Sequence, residues 1–100
     1  MALVSLSSEA KGDLADIVAY YEDRSPEYAR AVVRQLYEAV TRLEHFPRMG
    51  RTVPELGLES FRELLVAGYR VVYLVREEEV DILVIAHSRQ DLLKKLSRRR

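Results

Sequence analysis

The sequence predicts an α+β domain in which a hairpin of two helices packs on a small antiparallel sheet. The expected element order is β-α-α-β-β-β, with a possible short helix at the end. Residues 8–46 carry two successive runs of apolar side chains at helical spacing, separated by a serine–proline break. Residues 60–87 carry three runs rich in β-branched and aromatic residues, separated by very short turns. We expect residues 1–100 to form a single domain around one core.

The first helix is predicted from its cap and its apolar stripe. Residues 1–6 resemble a short strand that ends at Ser7-Ser8, where a serine hydroxyl can accept from the first free amides of a helix. The stripe then runs to about Asp23 through Ala10, Leu14, Ile17 and Tyr21. Tyr20 must point away from this stripe, so it either contacts the next helix or belongs to an interface.

The second helix is predicted to begin at Ser25-Pro26, because serine suits the cap position and proline the first helical position. Its apolar stripe comprises Ala29, Val32, Val33, Leu36, Val40 and Leu43. The helix is expected to run to about Phe46 and to stop before Pro47. So few residues join the two helices that they must fold back on each other as a hairpin.

The remainder of the chain predicts a loop followed by a sheet. Residues 47–59 hold two prolines and two glycines without periodicity and are expected to form a surface loop. Strands are predicted at 60–67, 69–76 and 80–87, with connections short enough to require antiparallel hairpins. Both faces of the middle strand are mostly apolar, so one should lie on the helices and the other under another element or a partner chain. A short helix is expected after Ser88.

What the sequence lacks disfavours several functions. It has no cysteine, and His45 and His87 are far apart without metal-ligand spacing, so we expect no disulfide and no metal site. It has no glycine-rich phosphate loop and no nucleophile elbow, and we expect no cofactor. No apolar run approaches the roughly 20 residues that cross a bilayer, and no signal peptide is evident. We therefore expect a cytoplasmic protein without a membrane partner.

The formal net charge is zero, but the charges are segregated along the chain. Residues 9–23 are mainly acidic, whereas residues 89–100 are mainly basic. The terminal Arg98-Arg99-Arg100 either forms a solvated tail or docks on nucleic acid or an acidic partner.

Two arginines stand at the ends of apolar strand faces. Arg62 shares a face of its strand with leucine and valine, and so does Arg70. A guanidinium in such a position needs a partner. Either these arginines form ion pairs with Glu63, Asp81 or Asp91, or they bind the phosphate or carboxylate group of a ligand.

His87 and Arg89 follow the third predicted strand directly. Because strand two runs away from Arg70 and strand three returns, His87 and Arg89 are expected beside the Arg70 end of the sheet. Arg62, Arg70, His87 and Arg89 would then share one edge. A histidine at a strand end is either structural or catalytic.

The order and spacing of these segments resemble the RelE/ParE superfamily of toxins from type II toxin–antitoxin systems. The matching residues are 6–10, 13–14, 17, 20–21, 43–47, 50–51, 54–55, 61–64, 68–73 and 82–87. The resemblance implies the fold described above and a toxin, associated with plasmid stabilisation, that a cognate antitoxin holds inactive. It also implies either a homodimer or a toxin–antitoxin hetero-oligomer.

The superfamily implies two alternative activities. RelE-like members are endoribonucleases that cut mRNA in the ribosome with basic residues on the sheet. In that case Arg70, in the Gly-Tyr-Arg segment, together with Arg62, His87 and Arg89, would be the catalytic residues. ParE-like members inhibit DNA gyrase and are not enzymes. A third alternative is a protein-binding module on the same scaffold that is not toxic.

The residues favour the ParE branch. Leu64 and Leu65 stand where a nuclease is expected to carry lysine or arginine, and no tyrosine follows Tyr73. The pair Tyr20-Tyr21 and the segment 47–51 also resemble ParE. We expect the antitoxin to dock on the helical hairpin groove, on an uncovered strand face and near Arg98–Arg100.

Overall fold

The computed structural model describes residues 1–97, which form three helices and five strands. The helices are α1 (Ser8–Glu22), α2 (Pro26–His45) and α3 (Leu92–Ser97). The strands are β1 (Leu3–Leu6), β2 (Arg51–Thr52), β3 (Phe61–Val66), β4 (Tyr69–Arg76) and β5 (Glu79–His87). The residues Arg98–Arg100, for which the sequence suggested a docking role, lie outside the described residues.

The five strands form one mixed sheet in the order β1-β5-β4-β3-β2. The α+β class and the antiparallel hairpins β3-β4 and β4-β5 are confirmed. The sheet is not purely antiparallel, because β1 pairs in parallel with β5. Short turns dictate the direction of neighbouring strands, whereas the pairing of β1 with a strand more than seventy residues away leaves no local signal. Strand β2 lies within the predicted loop, since two residues are too few to show periodicity.

Serine caps begin both long helices, as predicted. The Ser7 hydroxyl accepts from the Ala10 amide at 3.0 Å at the start of α1. The Ser25 hydroxyl accepts from the Tyr28 amide at 3.2 Å at the start of α2, where Pro26 is the first helical residue. Such caps stabilise a helix by about 1 kcal/mol each, which fixes where the two helices begin and therefore how they meet.

The main core lies between the helical hairpin and one face of the sheet. Its fully buried side chains include Val32 and Leu43 of α2 and Val71, Tyr73 and Ile82 of the sheet. The apolar stripes predicted from helical spacing are the faces that meet the sheet here.

The second face of the sheet is covered by the chain itself. Val53 and Leu92, both essentially inaccessible to solvent, pack with Val72, Val84 and Ala86 in a second cluster. The connection between β2 and β3 and the short helix α3 supply this cover. The uncovered strand face expected for the antitoxin is therefore absent from the described residues.

Side chains of the α1 segment close the edge of β5 beyond the end of β1. The Ser7 hydroxyl donates to the carbonyl of Leu83 at 2.9 Å, and a carboxylate oxygen of Asp13 accepts from the amide of Ile85 at 2.9 Å. The other oxygen of Asp13 accepts from the ammonium of Lys95 in α3 at 3.1 Å. Asp13 therefore ties α1, β5 and α3 together at one point.

Candidate functional site

Arg70 is held by two carboxylates of the same chain. Its Nη1 and Nη2 donate to the two oxygens of Glu55 at 2.6 and 2.7 Å, which forms a planar fork. Its Nε donates to Glu63 at 2.8 Å. The side chain of Arg70 is only 9% exposed. The guanidinium therefore has its donors engaged and almost no surface through which a ligand phosphate can approach.

Arg51 completes this group of charges. Its Nε and Nη2 donate to Glu63 at 2.7 and 2.6 Å, and the side chain of Glu63 is fully buried. Two guanidinium groups thus balance two carboxylates. The hydrogen bonds that Arg70 donates to Glu55 lower the pKa of Glu55 from its usual 4.5 to about 2, and the same bonds raise the pKa of Arg70.

The sequence therefore predicted one partner of Arg70 and missed another. An ion pair with Glu63 was one of its alternatives and is confirmed. Glu55 lies in an aperiodic turn between β2 and β3, so neither helical nor strand spacing indicated its direction. The only signal for Glu55 was the Pro54-Glu55 element within the superfamily resemblance.

Arg62 has a structural role on the other face of the sheet. Its Nη1 donates to the carbonyls of Gly50 and Arg48 at 2.8 and 3.2 Å, and its Nε donates to the carbonyl of Glu59 at 3.1 Å. The register places Arg62 opposite Tyr73, three residues along β4 from Arg70 and on the opposite face. The expectation that Arg62 and Arg70 share one edge was wrong.

His87 lies at the predicted end of the sheet but not beside Arg70. It pairs with Tyr69, and their ring centroids are 5.6 Å apart. The register between β4 and β5 shifts at Val72, so the alternation of side chains along β5 changes phase. Strict alternation would have put His87 on the face of Arg70, whereas the shift puts it on the face of Tyr69.

Arg89 lies just beyond β5, where it is exposed to solvent, and its amide donates to Nδ1 of His87 at 3.2 Å. Of the four residues expected to converge, the structure brings together only His87 and Arg89. Phosphodiester cleavage needs a base, an acid and cations around one phosphate. This arrangement does not assemble those groups on one surface.

Two broader features of the described residues bear on function. Residues 1–97 hold no group of three or more histidine, aspartate or glutamate side chains placed to bind a metal ion. None of the helices in this part of the chain is both long and apolar enough to cross a membrane.

A groove lined almost entirely by apolar side chains runs between the helical hairpin and β1. Its wall comprises Leu6, Leu14, Val33, Leu36, Tyr37, Ala39, Val40, Leu43, Val71, Ile82 and Ile85. It continues along α2 past Val33 and Tyr37 to Arg30 and Arg34. Tyr37 is 69% exposed at the point where the two parts meet. We call this surface the hairpin groove.

The far end of the hairpin carries exposed tyrosines. Tyr20 is 51% and Tyr28 is 43% exposed, and both pack against Tyr21, with ring centroids 4.9 and 4.6 Å from it. Tyr20 therefore does not fill the space between the two helices. Of the two roles that the sequence left open for Tyr20, its exposure leaves the interface role available.

Comparison with known proteins gives two matches. Residues 4–92 match the family described as the ParE toxin of the type II toxin–antitoxin system parDE. A solved chain of the chromosomal ParDE toxin–antitoxin system from P. aeruginosa has a TM-score of 0.71 and 24% sequence identity. That match covers 87% of this chain and 96% of the other, and it shows a shared fold. No curated protein matches significantly. Because the family match spans nearly the whole sequence, the chain belongs to the ParE toxin family of type II toxin–antitoxin systems.

Proposed function

We propose that the protein is a cytoplasmic toxin that arrests growth by binding DNA gyrase, without catalysis, and that a cognate antitoxin neutralises it. One observation carries the choice of a binding inhibitor over a nuclease: the guanidinium of Arg70 is closed off by Glu55 and Glu63. A nuclease of this scaffold would need that cation free for phosphate. Here the neighbouring carboxylates compensate its charge.

A supercoiling assay tests the proposal. Purified toxin added to DNA gyrase and relaxed plasmid should reduce the yield of supercoiled product in proportion to its concentration. Heat-denatured toxin provides the control. Full gyrase activity at toxin concentrations that arrest growth would contradict the proposal, and a chain that does not arrest growth when induced alone would instead be the non-toxic binding module.

The alternative activity is mRNA cleavage on the ribosome, with His87 and Arg89, the two of the four predicted catalytic residues that are exposed to solvent, at the site. His87 and Arg89 favour it, because both side chains are exposed at the same end of the sheet and their types are those that can transfer a proton and bind a phosphate. Under this alternative, wild-type protein cleaves mRNA in a translating extract, and His87→Ala abolishes the cleavage. If the mRNA stayed intact in an extract that contains the wild-type protein, the endoribonuclease alternative would be ruled out.

The antitoxin is best accommodated by the hairpin groove. An amphipathic segment fits it, because the groove offers apolar side chains along its length and, at one end, the two cations Arg30 and Arg34 against the single acid Glu22. The segment would present apolar residues to Val33 and Val40 and acidic residues to the two arginines. We expect the complex to be a toxin–antitoxin hetero-oligomer rather than a toxin homodimer.

The product of the reading frame beside the toxin gene is the probe for this interaction. Calorimetric titration of the toxin with that protein should give tight binding, and Val33→Asp in the groove should weaken it at least about tenfold by placing a charge on an apolar contact. Phe46→Ala, at an exposed position outside the groove, is the matched control. If both variants bound the antitoxin with equal affinity, the antitoxin would have to bind a surface other than the hairpin groove.

A further inference from the structure

The exposed aromatic surface at the turn between α1 and α2 is a second candidate interface. We call it the tyrosine end and define it by Tyr20, Tyr28, Asp16 and the cleft beside Tyr20. The cleft is lined by Asp13, Asp16, Ile17, Tyr20, Tyr69, Ile85, His87, Gln90 and Lys95. The hairpin groove shares only Ile85 with this cleft, so one partner can occupy each surface.

The rings of the tyrosine end are held in place before any partner binds. Tyr20 packs edge-on against Tyr21, and the guanidinium of Arg24 lies 3.9 Å from the centre of the Tyr20 ring. Arg24 also donates from Nη1 to the carbonyl of Tyr20 at 2.7 Å. Because these rings are already ordered, a partner would lose little side-chain entropy on binding them. Tyrosine and arginine are also enriched among residues that dominate interface energies.

The charge around these rings indicates the chemistry of the partner. Residues 9–28 contain six acidic residues against two basic ones, Lys11 and Arg24. Asp16 is exposed on the wall of the cleft, one helical turn from Tyr20. An acidic surface repels the phosphates of nucleic acid. The same surface attracts a protein segment that carries lysine or arginine.

The molecule already contains both contacts that such a segment would make. The ammonium of Lys95 binds a carboxylate oxygen of Asp13 at 3.1 Å in the wall of the cleft. The guanidinium of Arg24 stacks on Tyr20. A cation from a partner would meet groups of the same two kinds here, the exposed carboxylate of Asp16 and the half-exposed ring of Tyr20.

We propose that the tyrosine end is the surface through which the toxin contacts its target, and that it recognises a lysine- or arginine-bearing protein segment. This inference rests on the proposed function in one respect, because it assumes that the lysine- or arginine-bearing segment belongs to DNA gyrase. The antitoxin is then free to occupy the hairpin groove, and the two surfaces have opposite preferences, the tyrosine end for cations and the groove for apolar and acidic side chains.

Two variants with matched controls test the inference. Tyr20→Ala removes the central ring, and Asp16→Lys reverses the charge of the cleft. Phe46→Ala removes an aromatic ring that is 66% exposed elsewhere, and Glu78→Lys reverses an exposed acid in the β4–β5 turn. All four changes are at exposed positions, so thermal melting should show each variant folded.

The inhibitory concentration in the supercoiling assay should rise at least about tenfold for Tyr20→Ala and for Asp16→Lys. It should stay within about twofold of wild type for the two controls. The effect of Asp16→Lys should shrink at high salt, since the lost attraction is electrostatic. Folded variants that inhibit gyrase as strongly as wild type would overturn the inference while leaving the proposed function intact.

A wild-type protein that leaves gyrase untouched would contradict the proposed function instead. Growth arrest after induction of each variant then decides the inference, because that readout does not depend on the identity of the target. Loss of arrest with Tyr20→Ala and Asp16→Lys, but not with the controls, would support the tyrosine end as the target surface. Undiminished arrest with both variants would overturn it, as would a wild-type chain that causes no arrest.

Discussion

The carboxylate of Glu55 and the guanidinium of Arg70 meet in a two-bond fork, although fifteen residues separate them in sequence. The contact joins the turn after β2 to the beginning of β4. Arg70 also bonds the fully buried Glu63, so one guanidinium compensates the charge of two carboxylates together with Arg51. This one pair therefore bears on both the stability of the toxin and its inability to present Arg70 to a ligand.

Replacing Arg70 should destabilise the fold strongly. Arg70→Met leaves Glu63 buried with Arg51 as its only cationic partner and frees Glu55, and removing one member of a buried ion pair costs about 3–5 kcal/mol. Urea denaturation followed by circular dichroism measures this change in the free energy of unfolding. The Arg51→Met control should cost less, since the side chain of Arg51 is 62% exposed. Equal losses for both variants would show that the fork with Glu55 adds nothing.

The contribution of Glu55 should depend on pH. Its pKa is about 2 in the folded protein against 4.5 ordinarily, so the folded state favours the ionised form. The resulting stabilisation is fully present above pH 4.5 and is lost as the pH falls from there towards 2. Unfolding of wild type and Glu55→Gln should therefore differ most near neutral pH and converge in acid. A difference in unfolding free energy that is constant from pH 7 to pH 3 would contradict this assignment.

The elements that the sequence predicted well are those with local periodicity. Both long helices have caps and stripes within their own residues, and two of the strand pairings follow from short turns. The register shift near Val72 has no such signal, yet it decides which face His87 occupies. Arg70 illustrates the same limit, because half of its ion-pair environment comes from Glu55 in an aperiodic turn.

Gly50 should not tolerate a side chain. A Cβ at this position would lie 2.4 Å from the carbonyl oxygen of Glu63 and 2.6 Å from the hydroxyl of Tyr73, which accepts from the Gly50 amide at 2.9 Å. The backbone of Glu63 and the buried ring of Tyr73 cannot both shift away from an added methyl group without a loss of stability. Gly50→Ala should therefore lower the free energy of unfolding by about 2 kcal/mol, within the range for overpacked cores.

Gly12 provides the matched control for Gly50. It lies inside α1, and a Cβ there meets nothing within 4 Å. Gly12→Ala should raise the free energy of unfolding by about 0.5–1 kcal/mol, because alanine favours the helix and restricts the unfolded chain. Two substitutions of the same type should thus have opposite signs in the same denaturation experiment. A neutral Gly50→Ala would show that the loop before β2 is not held against β3.

Asp13 should anchor the sheet edge and α3 together. Asp13→Ala removes the acceptor for the buried amide of Ile85 and the partner of Lys95, and an unsatisfied buried amide alone costs about 1–3 kcal/mol. Hydrogen exchange should speed up at Ile85 and across α3, whose attachment otherwise depends on Leu92 and Leu96.

Lys95→Met separates the two roles of Asp13. It keeps the hydrogen bond from Ile85 but removes the ion pair, so exchange should rise in α3 while Ile85 stays protected. Asp16→Ala is the control for the carboxylate, since Asp16 is exposed and should change the free energy of unfolding by less than about 0.5 kcal/mol. If Asp13→Ala left protection at Ile85 unchanged, the edge of β5 would not depend on this carboxylate, and the short β1 alone would have to account for its order.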